Sequence, residues 1–216
     1  RLESRGGGSA KATANITVEV IARSGAQVKF AAIDRLGENV TAYISRRGKL
    51  GNDASIDWAI GVMNEGNVVA DFDSDLIGNG SHADLKAVAL SSGRQVQGID
   101  TRVTNYGYNS IGNILQHGVI LEKATLTFNG IGHIIKGAKG ADAQQESRVL
   151  MLSDQARSDA NPILLIDEND VTAGHAASIG QVDPEDMYYL MSRGLDKATA
   201  ERLVVRGFLG SVIVEI

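Results

Sequence analysis

Between Asn15 and Ile166, hydrophobic and polar positions alternate in a long series of short runs separated by turn residues. The runs predict strands at residues 16–22, 27–33, 40–45, 54–62 and 67–72, then at 83–90, 95–103, 124–128, 148–152 and 163–166. Period two is clearest in Asp84-Leu85-Lys86-Ala87-Val88-Ala89-Leu90 and in Thr125-Leu126-Thr127-Phe128. Turn signals such as Ser24-Gly25, Gly78-Asn79-Gly80, Ser92-Gly93 and Asn129-Gly130 fall between the runs. No helical pattern of ten or more residues interrupts them. That disfavours a sheet with helical crossovers and leaves a sandwich, a barrel or a strand-only solenoid. Val103, Phe128 and Leu150 stand 25 and 22 residues apart, inside the period range of repeat folds. A solenoid accounts for the steady short runs and for glycine at the corners.

The pattern changes after Gly180. Asp183-Pro184-Glu185-Asp186 opens a helix, with Asp as N-cap, Pro in the first turn and acids at the positive end. Met187, Leu190 and Met191 share a face, and Arg193-Gly194 closes the helix. Asp196 then caps a second helix whose expected apolar face is Ala200, Leu203, Val204 and Phe208, with Leu195 stapled against Ala200. The domain reading is a flexible N-terminal segment (1–14), a β core (15–180) and a small C-terminal helical domain (181–216).

Composition sharpens this. There are 25 glycines and two prolines in 216 residues, against about 7% and 5% in average proteins. Many tight turns, rather than loose linkers, follow from that imbalance. The absence of Cys excludes disulfides, thiolate zinc sites, a self-contained iron–sulfur cluster and a cysteine nucleophile. A net charge of −5 lacks the basic excess of a nucleic-acid binder. No apolar run is long enough to cross a membrane as a helix. Arg1 is not a start methionine and nothing near it reads as a signal peptide, so the sequence is expected to be a piece of a longer chain.

The chemistry-bearing residues are few. His82, His117, His133 and His175 show no helical metal spacing. His82 reads as a surface turn residue, and His117 and His133 as structural. His175 lies in Thr172-Ala173-Gly174-His175-Ala176-Ala177-Ser178, among small residues at the junction with the helices. Asp167, Glu168, Asp170 and Asp183 are near in sequence, where they would favour an imidazolium or help to hold a cation. The alternative is a histidine that hydrogen-bonds the strand-to-helix turn. No nucleophile elbow or phosphate loop is present. Asp71, Asp73 and Asp75 could serve a β-helix carbohydrate-active enzyme, but they also suit a solvated loop. The scarcity of aromatic residues argues against sugar-stacking platforms.

From Pro162 onward the sequence resembles the SufB/SufD family of iron–sulfur cluster assembly proteins, and within it the SufD type. The resemblance rests on residues 173–183 (AGHAASIGQVD), on 188–195 (YYLMSRGL), on the helix that follows, and on 125–132 (TLTFNGIG) upstream. It implies a mainly β fold, a right-handed parallel β-helix followed by a small helical domain. It implies members about twice this length, with an N-terminal helical region and a C-terminal extension. It further implies a non-catalytic, cytoplasmic scaffold subunit that pairs with a SufB-type subunit and contacts a SufC-type ABC ATPase through the C-terminal helices. Tyr188, Tyr189 and Arg193 are the anchor types there. SufB-type subunits carry a Cys near the end of the β-helix, and an ungapped match puts Ser147 at or near that position. SufD-type members present a His in the turn matching His175. On this reading His175 is the metal and cluster ligand, no cofactor is tightly bound by this chain alone, and a transient iron–sulfur cluster forms at the partner interface. Without a SufB-type partner, exposed strands would support a homodimer.

Overall fold

A computed structural model of the chain describes residues 2–3 and 10–213. In chain order it contains β1 (Leu2–Glu3), β2 (Ala12–Ala22), β3 (Gln27–Arg35), β4 (Val40–Leu50), β5 (Ser55–Val62), β6 (Val68–Leu76) and β7 (His82–Ser91). There follow β8 (Val96–Asn105), β9 (Ile111–Ile120), β10 (Thr125–Ile134), β11 (Asp142–Met151), β12 (Arg157–Ile166) and β13 (Thr172–Gln181). The helices are α1 (Pro184–Ser192) and α2 (Lys197–Ile213). Odd-numbered strands form one sheet and even-numbered strands the other, each ordered by sequence, with every pairing parallel. The chain is therefore a β-solenoid of about six turns, each turn contributing one strand to each sheet.

One turn takes between 26 residues (Ala42 paired with Val68) and 32 (Thr125 paired with Arg157). The expected repeat through Val103, Phe128 and Leu150 is corrected: Phe128 stacks on Ile99, Val103 on Gly132, and Leu150 belongs to the other sheet. Glycine is abundant because successive turns stack backbone on backbone. A Cβ at Gly78 would strike Gly51, and one at Gly107 would strike Gly78. Asparagines tie the same corner together: the Asn79 amide donates to Asn52 Oδ1 at 2.9 Å, and the Tyr108 amide to Asn79 Oδ1 at 2.9 Å.

Alternation sends one set of side chains into the solenoid, where Trp58, Phe72, Phe128, Ile44 and Leu85 are fully buried. Each such side chain contributes about 2–3 kcal/mol of burial. Near the first turns the interior also holds an ion pair. Asp34 and Arg46 are buried and joined in two hydrogen bonds of 2.7 and 2.8 Å. The guanidinium lies 5.9 Å from the Phe30 ring centre and 5.4 Å from that of Phe72.

Of the segment read as 1–14, residues 1 and 4–9 lie outside the described residues. Leu2 and Glu3 pair with Asp34 and Arg35, and Ala12 already opens β2. At the other end, 214–216 are likewise outside the described residues. The expected α1 cap is present: Asp183 Oδ1 accepts from the Glu185 amide at 2.8 Å, and Gly194 has φ +91°. Asp196 Oδ1 accepts from the Thr199 amide at 2.7 Å to open α2. The apolar face of α2 is partly the expected one, with Ala200 buried and Phe208 packed on the sheet. Leu203 is exposed, while Val205, Phe208, Leu209 and Val212 pack on Val88 of β7 and Val119 of β9, covering part of the outer surface of the odd sheet. Among the described residues no helix is long and apolar enough to cross a membrane.

Candidate functional site

Among the described residues, neither sheet continues past β12 and β13. The last turn is therefore open. Its inward side chains have a neighbouring turn below and none above, and Ile166 and Ile179 stay 46% and 44% exposed although their partners Ile134 and Val149 are buried. His175 sits in this turn. The expectation of a strand-to-helix turn is corrected: His175 is in the middle of β13, paired with Gln145, at an inward position above Leu85, Ile114 and Gln145. It is exposed because nothing covers the turn. It borders an open groove of about 440 Å³ that also touches Gln145, Glu146 and Ala176.

The interior beneath His175 differs from that of the first turns. Thr101, Gln116, Gln145 and Ser147 are all buried and all point inward. Ser147 Oγ donates to Gln116 Oε1 at 2.7 Å, and Gln145 Nε2 donates to the Ile163 carbonyl at 2.9 Å. Gln145 Oε1 is buried without a hydrogen-bond partner. That oxygen rests against the bare Cα of Gly130, where a Cβ would stand 2.7 Å from it. The glycine of Asn129-Gly130 thus admits the amide of Gln145, in addition to marking a break in a hydrophobic run. Ser147 lies one strand below His175 and two positions along, about 8 Å away from strand geometry.

Three of the four acids expected around His175 are engaged elsewhere. Asp183 caps α1, and Asp167 Oδ2 faces His133 Nε2 at 3.1 Å. Glu168 is buried and accepts the Gly137 and Asn169 amides at 3.0 and 2.9 Å. Those backbone donors, with Lys136 nearby, hold its carboxyl at about 2.

Tyr188 and Tyr189 project from α1, 75% and 57% exposed. The Arg193 guanidinium covers the Tyr189 ring at 5.0 Å, and Met191 on the same helix is exposed. Asp71, Asp73 and Asp75 occupy successive outward positions of β6 on the face of the even sheet, with Asp73 between Arg47 and Arg102. Arg47 approaches Asp73 Oδ2 at 3.3 Å. Burial and the neighbouring Asp71 carboxylate raise Asp73 to about 6 despite the two arginines. These carboxylates belong to a charge ladder across β4, β6 and β8.

His82 Nε2 contacts Asp84 Oδ1 at 3.0 Å at the outer start of β7. His117, read as structural, is in fact outward on β9 and sealed beneath α2, which the local sequence does not signal.

Residues 2–208 match the family model described as the SUF system FeS cluster assembly, SufBD core domain. The chain is 52% identical over 203 residues to the iron–sulfur cluster assembly protein SufD of Bacillus subtilis (strain 168), covering 94% of this chain and 46% of that protein. It is 29% identical over 201 residues to a SufBD family protein of Mycobacterium leprae (strain TN), covering 92% of this chain and 23% of that one. It is 25% identical over 192 residues to a SufBD family protein of Staphylococcus epidermidis, covering 89% of this chain and 41% of the relative. The chain thus spans less than half the length of these relatives.

Proposed function

The chain belongs to the SufB/SufD family of iron–sulfur cluster assembly proteins and is SufD-like, and from that premise we propose that it is a non-catalytic scaffold subunit of a Suf complex. In this reading the open last turn receives a SufB-type subunit, and the α1–α2 hairpin receives a SufC-type ABC ATPase. His175 offers an imidazole to iron of a cluster assembled transiently between subunits.

The observation that supports this best is the open turn itself. An inward histidine at an uncovered end, flanked by the half-exposed Ile166 and Ile179, combines an apolar surface with one soft donor. Imidazole replaces thiolate on cluster iron in known protein sites, so a chain without Cys can still supply a ligand. A single histidine makes no site alone, and the cluster, as cargo, would draw its other ligands from the partner. Site completion would then depend on how the two subunits sit. Tyr188 and Tyr189, displayed on a helix with no buried residue, are the large, low-entropy anchors that protein interfaces favour.

The test is co-expression of the full-length protein with SufB-type and SufC-type partners, followed by light scattering and cluster reconstitution. A stable ternary complex whose cluster yield falls in His175→Ala, with assembly unchanged, supports the reading. Full cluster yield in that variant removes His175 from it, and failure to associate with either partner removes the scaffold role.

A further inference from the structure

One ionisable group is placed where the fold has two bodies to join. The His117 ring stands outward on β9, nine-tenths or more buried, and stacks on the Phe208 ring of α2 with centres 5.0 Å apart and planes at 26°. Nδ1 lies 3.3 Å from the Phe208 carbonyl, a bond that only a protonated Nδ1 can donate. Nε2 is buried and has no hydrogen-bond partner. Its nearest charged oxygen, Glu146 Oε1 at 3.5 Å, is shared with Arg148 Nε at 2.6 Å. The charged groups around the ring are thus Glu146 and Arg148, both on β11. The lateral neighbour on β7 is Val88, and α2 covers the ring with Phe208.

We propose that His117 is a pH-sensitive latch for the C-terminal hairpin: neutral, it seats α2 on the odd sheet, and protonation loosens that seat. Beside the ring, the seam holds an apolar cluster of Val205, Phe208, Leu209 and Val212 against Val88 and Val119, which carries no pH dependence of its own. A second proton on the ring puts a full charge into that seam beside Arg148, with the one carboxylate in reach, Glu146, shared between the two cations. Burial and Arg148 lower the His117 pKa below its ordinary 6.5, outweighing the Phe208 carbonyl and Glu146. The sign follows from linkage. Undocked α2 leaves an ordinary histidine that binds a proton more readily than the docked one, so docking is strongest above pH 6.5 and weakens as pH falls below it. The hairpin's seating is a property of this chain alone and holds whichever partner the hairpin meets.

Hydrogen–deuterium exchange of the full chain, corrected for intrinsic rates and followed from pH 7.5 to 5, tests the latch, with the inner strands β6 and β8 as internal reference. Opening of α2 should increase below pH 6.5 by at most about tenfold per pH unit, the slope of one proton, while β6 and β8 stay protected. In His117→Phe, which keeps a stacking ring and cannot ionise, the α2 profile should be flat with pH. Should that variant fold poorly, titration of the His117 ring by NMR in the unmodified protein serves instead, with a midpoint below 6.5 expected. Opening of α2 that is independent of pH, a slope retained in His117→Phe, or a midpoint at or above 6.5 would overturn the proposal.

Discussion

Asp34 and Arg46 form a fully buried ion pair inside the first turns, and its energetics make a sharp prediction. Asp34→Ala removes the carboxylate that takes both guanidinium ends, at 2.7 and 2.8 Å. Arg46 Nε already lacks a partner, so the cation would be left with only the Phe30 and Phe72 rings. Stranding a buried charge costs about 3–5 kcal/mol, and because both ring contacts already exist in the parent, their strengthening recovers only about 1 kcal/mol of it. A net loss of about 2–4 kcal/mol is expected, which for a chain of this size lowers the melting temperature by roughly 4–16 °C. The double variant Asp34→Leu/Arg46→Met removes both charges and keeps apolar volume, so it should lie within about 1 kcal/mol of the parent or above it. Guanidinium unfolding followed by circular dichroism, arranged as a double-mutant cycle, measures the coupling directly. If Asp34→Ala costs less than about 1 kcal/mol, or if the double variant is as unstable as the single one, the stranded-charge argument fails.

Three further outcomes are expected. Glu168→Gln should be less stable than the parent at neutral pH, and the gap should narrow as pH falls from 4.5 toward 2, because the folded carboxyl titrates at about 2 against an ordinary 4.5; a gap independent of pH in urea melts would refute this. Gly130→Ala should cost about 1 kcal/mol, the bond from Gln145 Nε2 to the Ile163 carbonyl, and the cost should vanish in a Gln145→Ala background, where nothing remains to be displaced at 2.7 Å. Tyr188→Ala/Tyr189→Ala should change stability by about 0.5 kcal/mol or less, since both rings are exposed, yet weaken binding of a SufC-type ATPase at least about tenfold by calorimetry.

Ten strands were legible from short apolar runs between turn residues, even on β8 and β11, where Thr101, Gln145 and Ser147 point inward. β9 was not, and its residues show why. Gly112, Gln116 and Gly118 point inward beside Ile114 and Ile120, while Leu115 and Val119 point outward beneath α2, so apolar residues stand on both faces and the alternation is lost. β13 hid for another reason. Thr172-Ala-Gly-His-Ala-Ala-Ser is an edge strand that buries little, and small residues carry no period; the resemblance located His175 but put it in a turn. That outward apolar surface also explains why Val205, Leu209 and Val212 of α2 face the sheet while Leu203 does not. Both helix caps were readable because Asp183 and Asp196 act within three residues of themselves. His117 was not, because Phe208 lies 91 residues away.

The open last turn has a consequence for how the stack comes apart and together. In a stack of turns, stability is a sum of nearest-neighbour terms, and β12 and β13 have one neighbour each where inner strands have two. Their interior contributes little, with small residues on β13 and glutamines beneath instead of Trp58 and Phe72. Fraying therefore begins at this end and proceeds inward, as a zipper opens from its free tab. Any chain that pairs with β13 supplies the missing neighbour, so docking there is thermodynamically one more turn of folding, contributed by a second polypeptide.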